Sequence, residues 1–294
     1  MISAAQFPLA FILLAHDNWP HLQQLVKYFA ADPADTLVIH IDGRVPNVVF
    51  ERVKQQLGRP NVLFSNRLKC HWGHFSLVEA TLAGIQTLAA SGRPFRYASL
   101  LSGVDYPIKP QARLRRFLAE CGDQEFIEAY NMYFERWVIS GSYTERYEYI
   151  YPFGRYVYHQ KLFRLWELFQ SKRDRRRSMP KGLVPFSGSQ WWTLTSQAIQ
   201  AILTAVQDRE LMEFFRVTFV PDEMFFQTLL MNSARRPQVS FRNLRKIRWE
   251  GGGWPHIFTE EDFDELKASD AFLARKITLS KSQALIRRIH AHLL

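Results

Sequence analysis

The stretch FPLAFILLAH, Phe7 to His16, is a continuous apolar run that ends in a polar residue. Such a run is typical of a strand buried on both faces of a parallel sheet. The stretch TLVIHID, Thr36 to Asp42, repeats this pattern. Between the two runs, apolar residues from Leu22 to Phe29 follow helical spacing. This alternation of strand and helix predicts an α/β fold.

Further segments extend the pattern to the first 130 residues. NVLFSN (61–66) predicts a third strand, a helical stripe follows over 77–85, and YASLLSGVDYPI (97–108) runs from strand into turn. The order strand, helix, strand, strand, helix, strand describes a Rossmann-like nucleotide-binding half, residues 1–130. Because no clear linker follows, we predict a single domain, 1–294, in which 131–181 form an aromatic, basic insertion and 182–294 form the acceptor and catalytic half.

Polar residues follow the predicted strands where a ligand would be expected. His16 and Asp17 follow the first strand, Asp42 ends the second, and Asp105 lies in the turn after the last. Ligands of open α/β sheets bind beyond the carboxyl ends of the strands. We therefore predict a ligand site here. The alternatives are ordinary strand-end polar groups and, for Asp105, a turn residue.

A second feature is the stretch VTFVPDEMFFQTLL, residues 217–230. Pro221 is suited to the first turn of a helix, which places Asp222 and Glu223 in that turn. The apolar residues that follow would bury one helix face and hold the two carboxylates rigidly. The alternative is that both acids only complement the helix dipole.

The charge of the chain favours an anionic partner. The net charge is +10 and the pI is about 9.7, with nine Lys or Arg against two acids between Arg155 and Lys181. A solvated loop, a phospholipid surface and a nucleic acid would each account for the basic run. The sequence has no zinc-ligand spacing, helix-turn-helix or RNA-binding signature, so nucleic acid is not expected.

The compartment is predicted from the cysteines and the N-terminus. Cys70 and Cys121 are too few for a disulfide scaffold, which favours a reduced compartment. The first apolar run is too short for a membrane span and lacks the positive flank of a signal peptide. These features predict a cytoplasmic protein.

Several catalytic motifs are missing from the sequence. There is no GxGxxG after the first strand, no GxxxxGK[ST], no GxSxG and no HExxH. His71 and His74 form a close histidine pair without the spacing of HExxH. Dinucleotide binding and P-loop chemistry are therefore disfavoured, and no metal site is predicted.

Six segments in order resemble the core-2/I-branching β-1,6-N-acetylglucosaminyltransferase family, which includes the peptide O-xylosyltransferases. The resemblance runs from Leu9 to about Lys276. The segments are AFILLAHDN, LVIHID, HWGHFSLVEATL, YASLLSGVDYPIKP, FSGSQWWTLT and VPDEMFFQTLL.

The resemblance implies a GT-A-like fold and inverting transfer of a sugar from a UDP-sugar to a hydroxyl, without the DxD metal site usual for that fold. The sole D-x-D triplet here, Asp262 to Asp264, lies in a late acidic segment. Glu223 matches the family's base, which would take the proton of the acceptor hydroxyl. We therefore expect neither a metal nor another cofactor.

The resemblance also implies donor contacts. Fixed basic residues of the C-terminal part would offset the charge of the departing diphosphate. The candidates are Lys276, Arg248 and Arg245. Arg248 is favoured on chemistry alone, since guanidinium binds phosphate in a bidentate manner. Asp105 would lie beside the donor, with His16 and Asp42 near its uracil or ribose.

On the acceptor side, the turn Ser187, Gly188 and Gln190 resembles a substrate-facing turn of the family. Trp191 and Trp192 point to opposite faces of a strand, so one would be core and the other would stack on a sugar. UDP-N-acetylglucosamine is the favoured donor and UDP-xylose the alternative. A basic sugar- or nucleic-acid-binding protein without catalysis is the remaining alternative.

The chain also departs from the family. Animal members have a membrane anchor, a lumenal stem and several disulfides, whereas this sequence shows none of them. It therefore resembles a bacterial, cytoplasmic member whose acceptor is a glycan or a lipid-linked intermediate. The basic insertion would suit peripheral association with an anionic inner-membrane surface, a hypothesis that involves Arg173, Arg175, Arg176 and Arg177.

Overall fold

The computed structural model describes residues 3, 6–134, 144–152, 160–172, 176–250 and 254–294. The strands are β1 (Leu9–Ala15), β2 (Thr36–Ile41), β3 (Val62–Phe64), β4 (Tyr97–Ser102), β5 (Asp105–Pro107), β6 (Phe126–Ile127), β7 (Tyr130–Asn131), β8 (Phe186–Ser187), β9 (Trp192–Thr195), β10 (Arg245–Ile247), β11 (Trp249–Glu250), β12 (Trp254–Pro255) and β13 (Leu273–Arg275). The α-helices are α1 (Trp19–Phe29), α2 (Asn47–Leu57), α3 (Ser76–Ala90), α4 (Gln111–Glu120), α5 (Glu145–Glu148), α6 (Gln160–Ser171), α7 (Ser196–Ala205), α8 (Arg209–Arg216), α9 (Phe225–Met231), α10 (Phe263–Ala268) and α11 (Leu279–His292). Short 3₁₀ helices span Pro180–Gly182, Pro221–Glu223, Arg236–Gln238 and Glu260–Asp262.

The central sheet has the strand order β3-β2-β1-β4-β9-β6. The first four strands pair in parallel, whereas β9 pairs antiparallel with both β4 and β6. The predicted α/β class is therefore confirmed, and the four parallel strands form its Rossmann-like half. Because β9 comes from the C-terminal half, one sheet joins the two predicted halves of the chain.

The core lies on both faces of this sheet, as the alternation along β1 shows. Phe11 and Leu13 join a cluster that includes α1 and α11, whereas Ile12 joins a cluster that includes α3, α7 and α9. Helix α3 lies very close to β1 at Gly84, where an added Cβ would be 2.4 Å from a methyl carbon of Ile12. Burial on both faces explains why these strands read as continuous apolar runs.

A smaller sheet, of order β10-β13-β5, lies beyond the end of β4. β13 pairs parallel with β10 and antiparallel with β5, which places Arg275 opposite Asp105. The small sheet thereby brings the C-terminal part of the chain to the carboxyl edge of the central sheet.

The elements predicted from the sequence omit α2, α4, α5, α6 and α8. α2 buries only Val53 and Leu57, so its apolar stripe is weak, and α8 has eight residues. Asn18, a residue type that favours helix caps, does not cap α1 with its side chain. Its backbone is left-handed, with φ 55°, and its side chain makes no cap hydrogen bond.

The predicted insertion, 131–181, contains core residues as well as surface. Tyr147, Tyr149 and Tyr151 are buried, so this part of the segment contributes to the interior of the protein. Arg173 and Arg175 lie outside the described residues. Within the described ranges, no helix combines the length and apolar character needed to cross a membrane.

Candidate active site

Glu223 ends the 3₁₀ helix Pro221–Glu223, and α9 begins two residues later. The preceding Val220 has φ 47°, which is rare for a β-branched residue. Its N–H donates to the Gly73 carbonyl at 3.0 Å, and its carbonyl accepts from Arg146 at 2.7 Å. These contacts hold a strained backbone just before Glu223. Pro221 thus opens a tight turn rather than the longer helix that the sequence predicts.

Helix α9 fixes this turn against the segment 186–189. Phe225 and Phe226 are fully buried and anchor the helix. Gln227 donates to the Ser189 carbonyl at 2.7 Å, and the Thr228 hydroxyl accepts from the Phe186 N–H at 3.1 Å. The carboxylate of Glu223 therefore projects from a rigid support.

Gly188 joins the turn to the Glu223 backbone. Its N–H donates to the Glu223 carbonyl at 2.9 Å. A Cβ at this position would lie 2.0 Å from the Glu128 carbonyl oxygen, which no side chain can tolerate. The turn predicted to face substrate therefore lies directly against the backbone of Glu223. Gln190 lies half-buried further along the same turn.

Arg146 on α5 binds Glu223 directly. Its Nη2 lies 3.1 Å from the Glu223 Oε2, and its side chain is almost fully buried, whereas 32% of the Glu223 side chain is exposed. Arg146 also donates to the Phe219 carbonyl at 3.3 Å and to the Ser187 hydroxyl at 3.4 Å. The ion pair orients a carboxylate that substrate can still reach. The sequence singles out Glu223 but not its partner.

Asp222 is buried beside this pair. Desolvation, followed by the neighbouring charge of Glu223, raises the pKa of the Asp222 carboxyl to about 7. Its Oδ1 has no hydrogen-bond partner among the described residues. A single guanidinium, Arg146, thus faces two adjacent carboxyl groups, and its ion pair is with Glu223.

A second cluster forms around Asp105 and Arg245. Both side chains are fully buried, with 3.1 Å between Asp105 Oδ1 and Arg245 Nε, and Asp105 also accepts from the Ser102 N–H at 2.6 Å. The guanidinium of Arg245 lies over the Trp191 ring at 5.1 Å. The predicted direct donor contacts of Asp105 and Arg245 are not supported, because these two charges pair with each other beneath the surface.

The basic residues of the C-terminal part differ in their partners. Arg248 binds Asp262 at 2.8 Å and also binds Glu265. Its guanidinium, which the sequence favours as the diphosphate ligand on chemical grounds, is therefore already paired with two carboxylates. Lys276 is half-buried, and within the described part of the chain its ammonium has no hydrogen-bond or ion-pair partner. Burial, followed by the charge of Arg275, lowers the pKa of Lys276.

The structure adds Arg275 and Glu128 to the site. The Arg275 guanidinium stacks on Trp191 at 4.4 Å and donates to the Ser102 hydroxyl. Burial raises the pKa of Glu128, although the Ser189 N–H and the charge of Arg245 oppose the rise. Glu128 therefore links the Glu223 turn to the Asp105 cluster. Its position in the apolar segment EFIEAY is the one sequence signal that could have identified it.

The remaining predicted donor residues lie at the carboxyl edge of the central sheet. The Asp42 N–H donates to the Ala15 carbonyl at 2.9 Å, so the ends of β1 and β2 meet as predicted. The Asp42 carboxylate is nearly buried and binds Arg44 at 2.8 Å. His16 and Asp17 are exposed, with their side chains 3.5 Å apart.

Trp191 and Trp192 are both buried in the same core cluster, so the predicted division into one core and one sugar-facing indole is wrong. Trp192 is fully buried and packs on Phe226 with 5.7 Å between ring centroids. Trp191 is buried under the two guanidinium groups. The predicted acceptor contact of Trp192 is wrong, because the core covers it. Among the described residues, no group of three or more His, Cys, Asp or Glu forms a metal site.

Residues 9–270 match the family model described as Core-2/I-Branching enzyme, and the chain therefore belongs to this enzyme family. The predicted family resemblance is confirmed.

The curated relatives are of two kinds. Human xylosyltransferase 2 is 24% identical over 308 residues, which cover 97% of this chain and 33% of that protein. Rat xylosyltransferase 1 is 25% identical, covering 97% of this chain and 35% of that protein. Human beta-1,3-galactosyl-O-glycosyl-glycoprotein beta-1,6-N-acetylglucosaminyltransferase 3 is 25% identical, covering 84% of this chain and 55% of that protein. The chain thus spans about a third to a half of the length of these relatives.

Among solved structures, a nucleoside-diphosphate-sugar pyrophosphorylase from Vibrio cholerae aligns with a TM-score of 0.35 and 11% identity. The alignment covers 76% of this chain and 87% of that chain. A similarity of this size carries no functional argument.

Proposed function

We propose that this chain is an inverting glycosyltransferase that moves a sugar from a UDP-sugar to the hydroxyl of an acceptor. The observation that carries the proposal is the ion pair of Arg146 and Glu223. It presents a partly exposed carboxylate on a buried support, beside the turn of Ser187 and Gly188. A general base needs this combination of fixed direction and access to substrate.

In the proposed reaction, Glu223 takes the proton of the acceptor hydroxyl while the hydroxyl oxygen attacks the anomeric carbon of the donor. The bond from that carbon to the UDP oxygen breaks, and its electron pair leaves with the diphosphate. Attack from the opposite face inverts the anomeric configuration. Glu223 later releases the proton to solvent.

The departing diphosphate needs a positive group nearby. Lys276 is the best candidate, because its ammonium has no partner within the described ranges, whereas Arg248 is bound by Asp262 and Glu265. Arg275 lies next to Lys276 and adds positive charge there. His16 and Asp17, exposed at the end of β1, remain candidates for the uracil or ribose.

The donor sugar is N-acetylglucosamine in our first proposal and xylose in the second. Xylosyltransferases match over 97% of this chain, which is the specific observation that favours the second candidate. The acceptor is proposed to be a glycan or a lipid-linked intermediate, as the basic surface of the chain suggests.

Thermal shift with a panel of UDP-, GDP-, dTDP- and CMP-sugars, with and without EDTA, tests the donor class. A UDP-sugar at about 100 times its dissociation constant should stabilise the fold by about 2.7 kcal/mol. The proposal predicts stabilisation by UDP-sugars that survives EDTA. Stabilisation that is lost in EDTA would indicate that donor binding depends on a metal. If folded protein responded to none of the nucleotide sugars, a non-catalytic role would be favoured.

A further inference from the structure

Helix α6 exposes apolar side chains on one side and is held to the protein on the other. Leu165 and Leu168 are 61% and 58% exposed, and Phe169 is 43% exposed. With the exposed Lys172, just beyond the helix, these positions are separated by three, four and seven residues from Leu165, so they form one outward stripe. Phe169 also stacks on Trp166, with 5.6 Å between ring centroids, so we call only Leu165, Leu168 and Lys172 the outer stripe.

The opposite side of α6 contacts Ile150 and Tyr151. The Trp166 indole N–H donates to the Ile150 carbonyl at 2.7 Å, and Gln170 both accepts from the Ile150 N–H at 2.7 Å and donates to its carbonyl at 3.0 Å. The Tyr151 hydroxyl donates to Glu167 at 3.2 Å. These polar contacts fix which side of the helix faces outward.

The charges around the outer stripe are positive. Arg164 and Lys172 are exposed, and the only acid of the helix, Glu167, is turned toward Tyr151. In the sequence, Lys172 is followed by four arginines and one aspartate before Ser178. A helix with exposed leucines and basic flanks has the character of an interfacial helix that lies in the plane of an anionic bilayer.

We propose that the outer stripe of α6 docks this protein on an anionic phospholipid surface. The two leucines would enter the acyl boundary, while Arg164 and Lys172 would bind lipid phosphates. The stripe is also too narrow for a stable protein interface, which uses about 20 residues or more on each side.

The docking surface shares its support with the candidate active site. Tyr151 donates its N–H to the Val217 carbonyl at 2.8 Å, and the Arg146 carbonyl accepts from Phe219 at 2.8 Å, just before the Glu223 turn. A membrane bound to α6 would therefore be joined to that turn through the segment that supports both. If the proposed transferase activity holds, this position favours a lipid-linked acceptor.

The structure also revises which basic residues can contact lipid. The guanidinium of Arg177 stacks on Phe214 at 4.3 Å and donates to the Phe214 and Tyr149 carbonyls at 2.9 and 2.7 Å. Arg176 pairs with Glu148. Neutralising Arg177 would disturb the fold and is unsuitable as a test of lipid binding, so the test rests on the outer stripe and Arg164.

The proposal is tested by cosedimentation with vesicles of phosphatidylcholine alone and of phosphatidylcholine containing phosphatidylglycerol. The variants are Leu165→Gln with Leu168→Gln, and Arg164→Gln with Lys172→Gln. Val48→Gln is the matched control, because Val48 is an apolar residue on α2 that is 69% exposed. Circular dichroism and unfolding temperature establish that each variant is folded.

We expect the parent to bind the anionic vesicles at least about tenfold more tightly than the neutral ones, and less tightly at high salt. The leucine variant should lose at least about tenfold in partitioning, and the charge variant should lose its salt dependence. Val48→Gln should bind like the parent.

Three results would overturn the proposal. One is a parent that binds neither kind of vesicle, and another is a leucine variant that binds like the parent. The third is a parent that forms a dimer, together with a leucine variant that is a monomer and binds vesicles like the parent. In that case the outer stripe would bind a second copy of the chain rather than a membrane. The vesicle assay contains neither sugar donor nor acceptor. Its result therefore tests membrane docking independently of the proposed transferase activity.

Discussion

The buried guanidinium of Arg146 lies 3.1 Å from the carboxylate of Glu223, although the two residues are 77 positions apart in the chain. Carbonyls of Phe219 and Val220 hold the same guanidinium. The arrangement gives Glu223 a defined direction before any substrate binds. Preorganisation of this kind lowers the cost of reaching a reactive geometry.

Replacing Glu223 with Gln should reduce transfer by at least about a hundredfold, because an amide cannot take up the hydroxyl proton. The Gln side chain keeps an acceptor for Arg146, so binding of UDP-sugar by thermal shift should not change. Glu213→Gln, at an exposed position on α8, is the control. If the Glu223→Gln variant transferred sugar at nearly the rate of the parent, Glu223 would not be the general base.

Replacing Arg146 with Gln should lower kcat by about tenfold to a hundredfold, because Glu223 loses its direction. The KM for the donor should stay close to that of the parent, and Arg146→Lys should restore part of the rate. Steady-state kinetics on folded protein measures both quantities. Arg176→Gln, which affects a more exposed pair with Glu148, should leave kcat unchanged. An unaltered kcat in Arg146→Gln would contradict the positioning role.

Replacing Lys276 with Gln should weaken UDP binding by about ten- to a hundredfold, the effect of one charged hydrogen bond of about 1.5–3 kcal/mol. Arg248→Gln should have little effect, since Asp262 and Glu265 already bind Arg248. Calorimetric titration with UDP compares the two variants. Weaker binding in Arg248→Gln but not in Lys276→Gln would reverse the assignment.

Asp222→Asn should change how stability depends on pH. The folded-state pKa of Asp222 is about 7, above the unfolded value of about 4. The folded protein therefore binds more protons than the unfolded chain between these values, so the Asp222 contribution to stability falls as pH rises through this window. The stability of the Asp222→Asn variant relative to the parent should rise by up to about 1.4 kcal/mol per pH unit from about pH 5 to about pH 7.

Urea unfolding at several pH values measures this difference, with the unfolding slope recorded at each point. A difference between the two proteins that stays constant from about pH 5 to about pH 8 would show that Asp222 is ionised in both states throughout.

Breaking the buried pair of Asp105 and Arg245 should be strongly destabilising. Asp105→Asn leaves the Arg245 charge buried without its partner, and we expect a loss of about 3–5 kcal/mol. Arg245→Met should cost a similar amount, and the double variant should cost less than the sum. Urea unfolding measures all three. Glu213→Gln, which breaks the exposed pair with Arg209, should cost less than about 1 kcal/mol. Strict additivity of the two buried changes would contradict the pairing.

Much of the fold could be predicted because its signals are local. A strand covered on both faces must be apolar at every position, and β1, β2 and β4 show this directly. Helices α2 and α4 bury only two or three residues each, so their apolar spacing is too weak to predict a helix from the sequence. The candidate base followed from the motif around Glu223, which lies within one short segment.

The environment of the site could not be predicted in the same way. Arg245 and Arg248 are three positions apart and chemically identical, yet one is buried against Asp105 and the other binds Asp262 and Glu265. Which acid a guanidinium meets depends on how distant segments pack. The residues next to each arginine in the sequence do not determine which acid it will pair with.

The sequence by itself determined the α/β class, the family and the carboxylate motif, because hydrophobic pattern and motif spacing are properties of neighbouring residues. Tertiary structure alone decided that Arg146 holds Glu223, that Lys276 rather than Arg248 lacks an acidic partner within the described ranges, and that Trp192 belongs to the core. Those outcomes depend on burial and on charge pairing between distant segments, and both arise only when the chain packs.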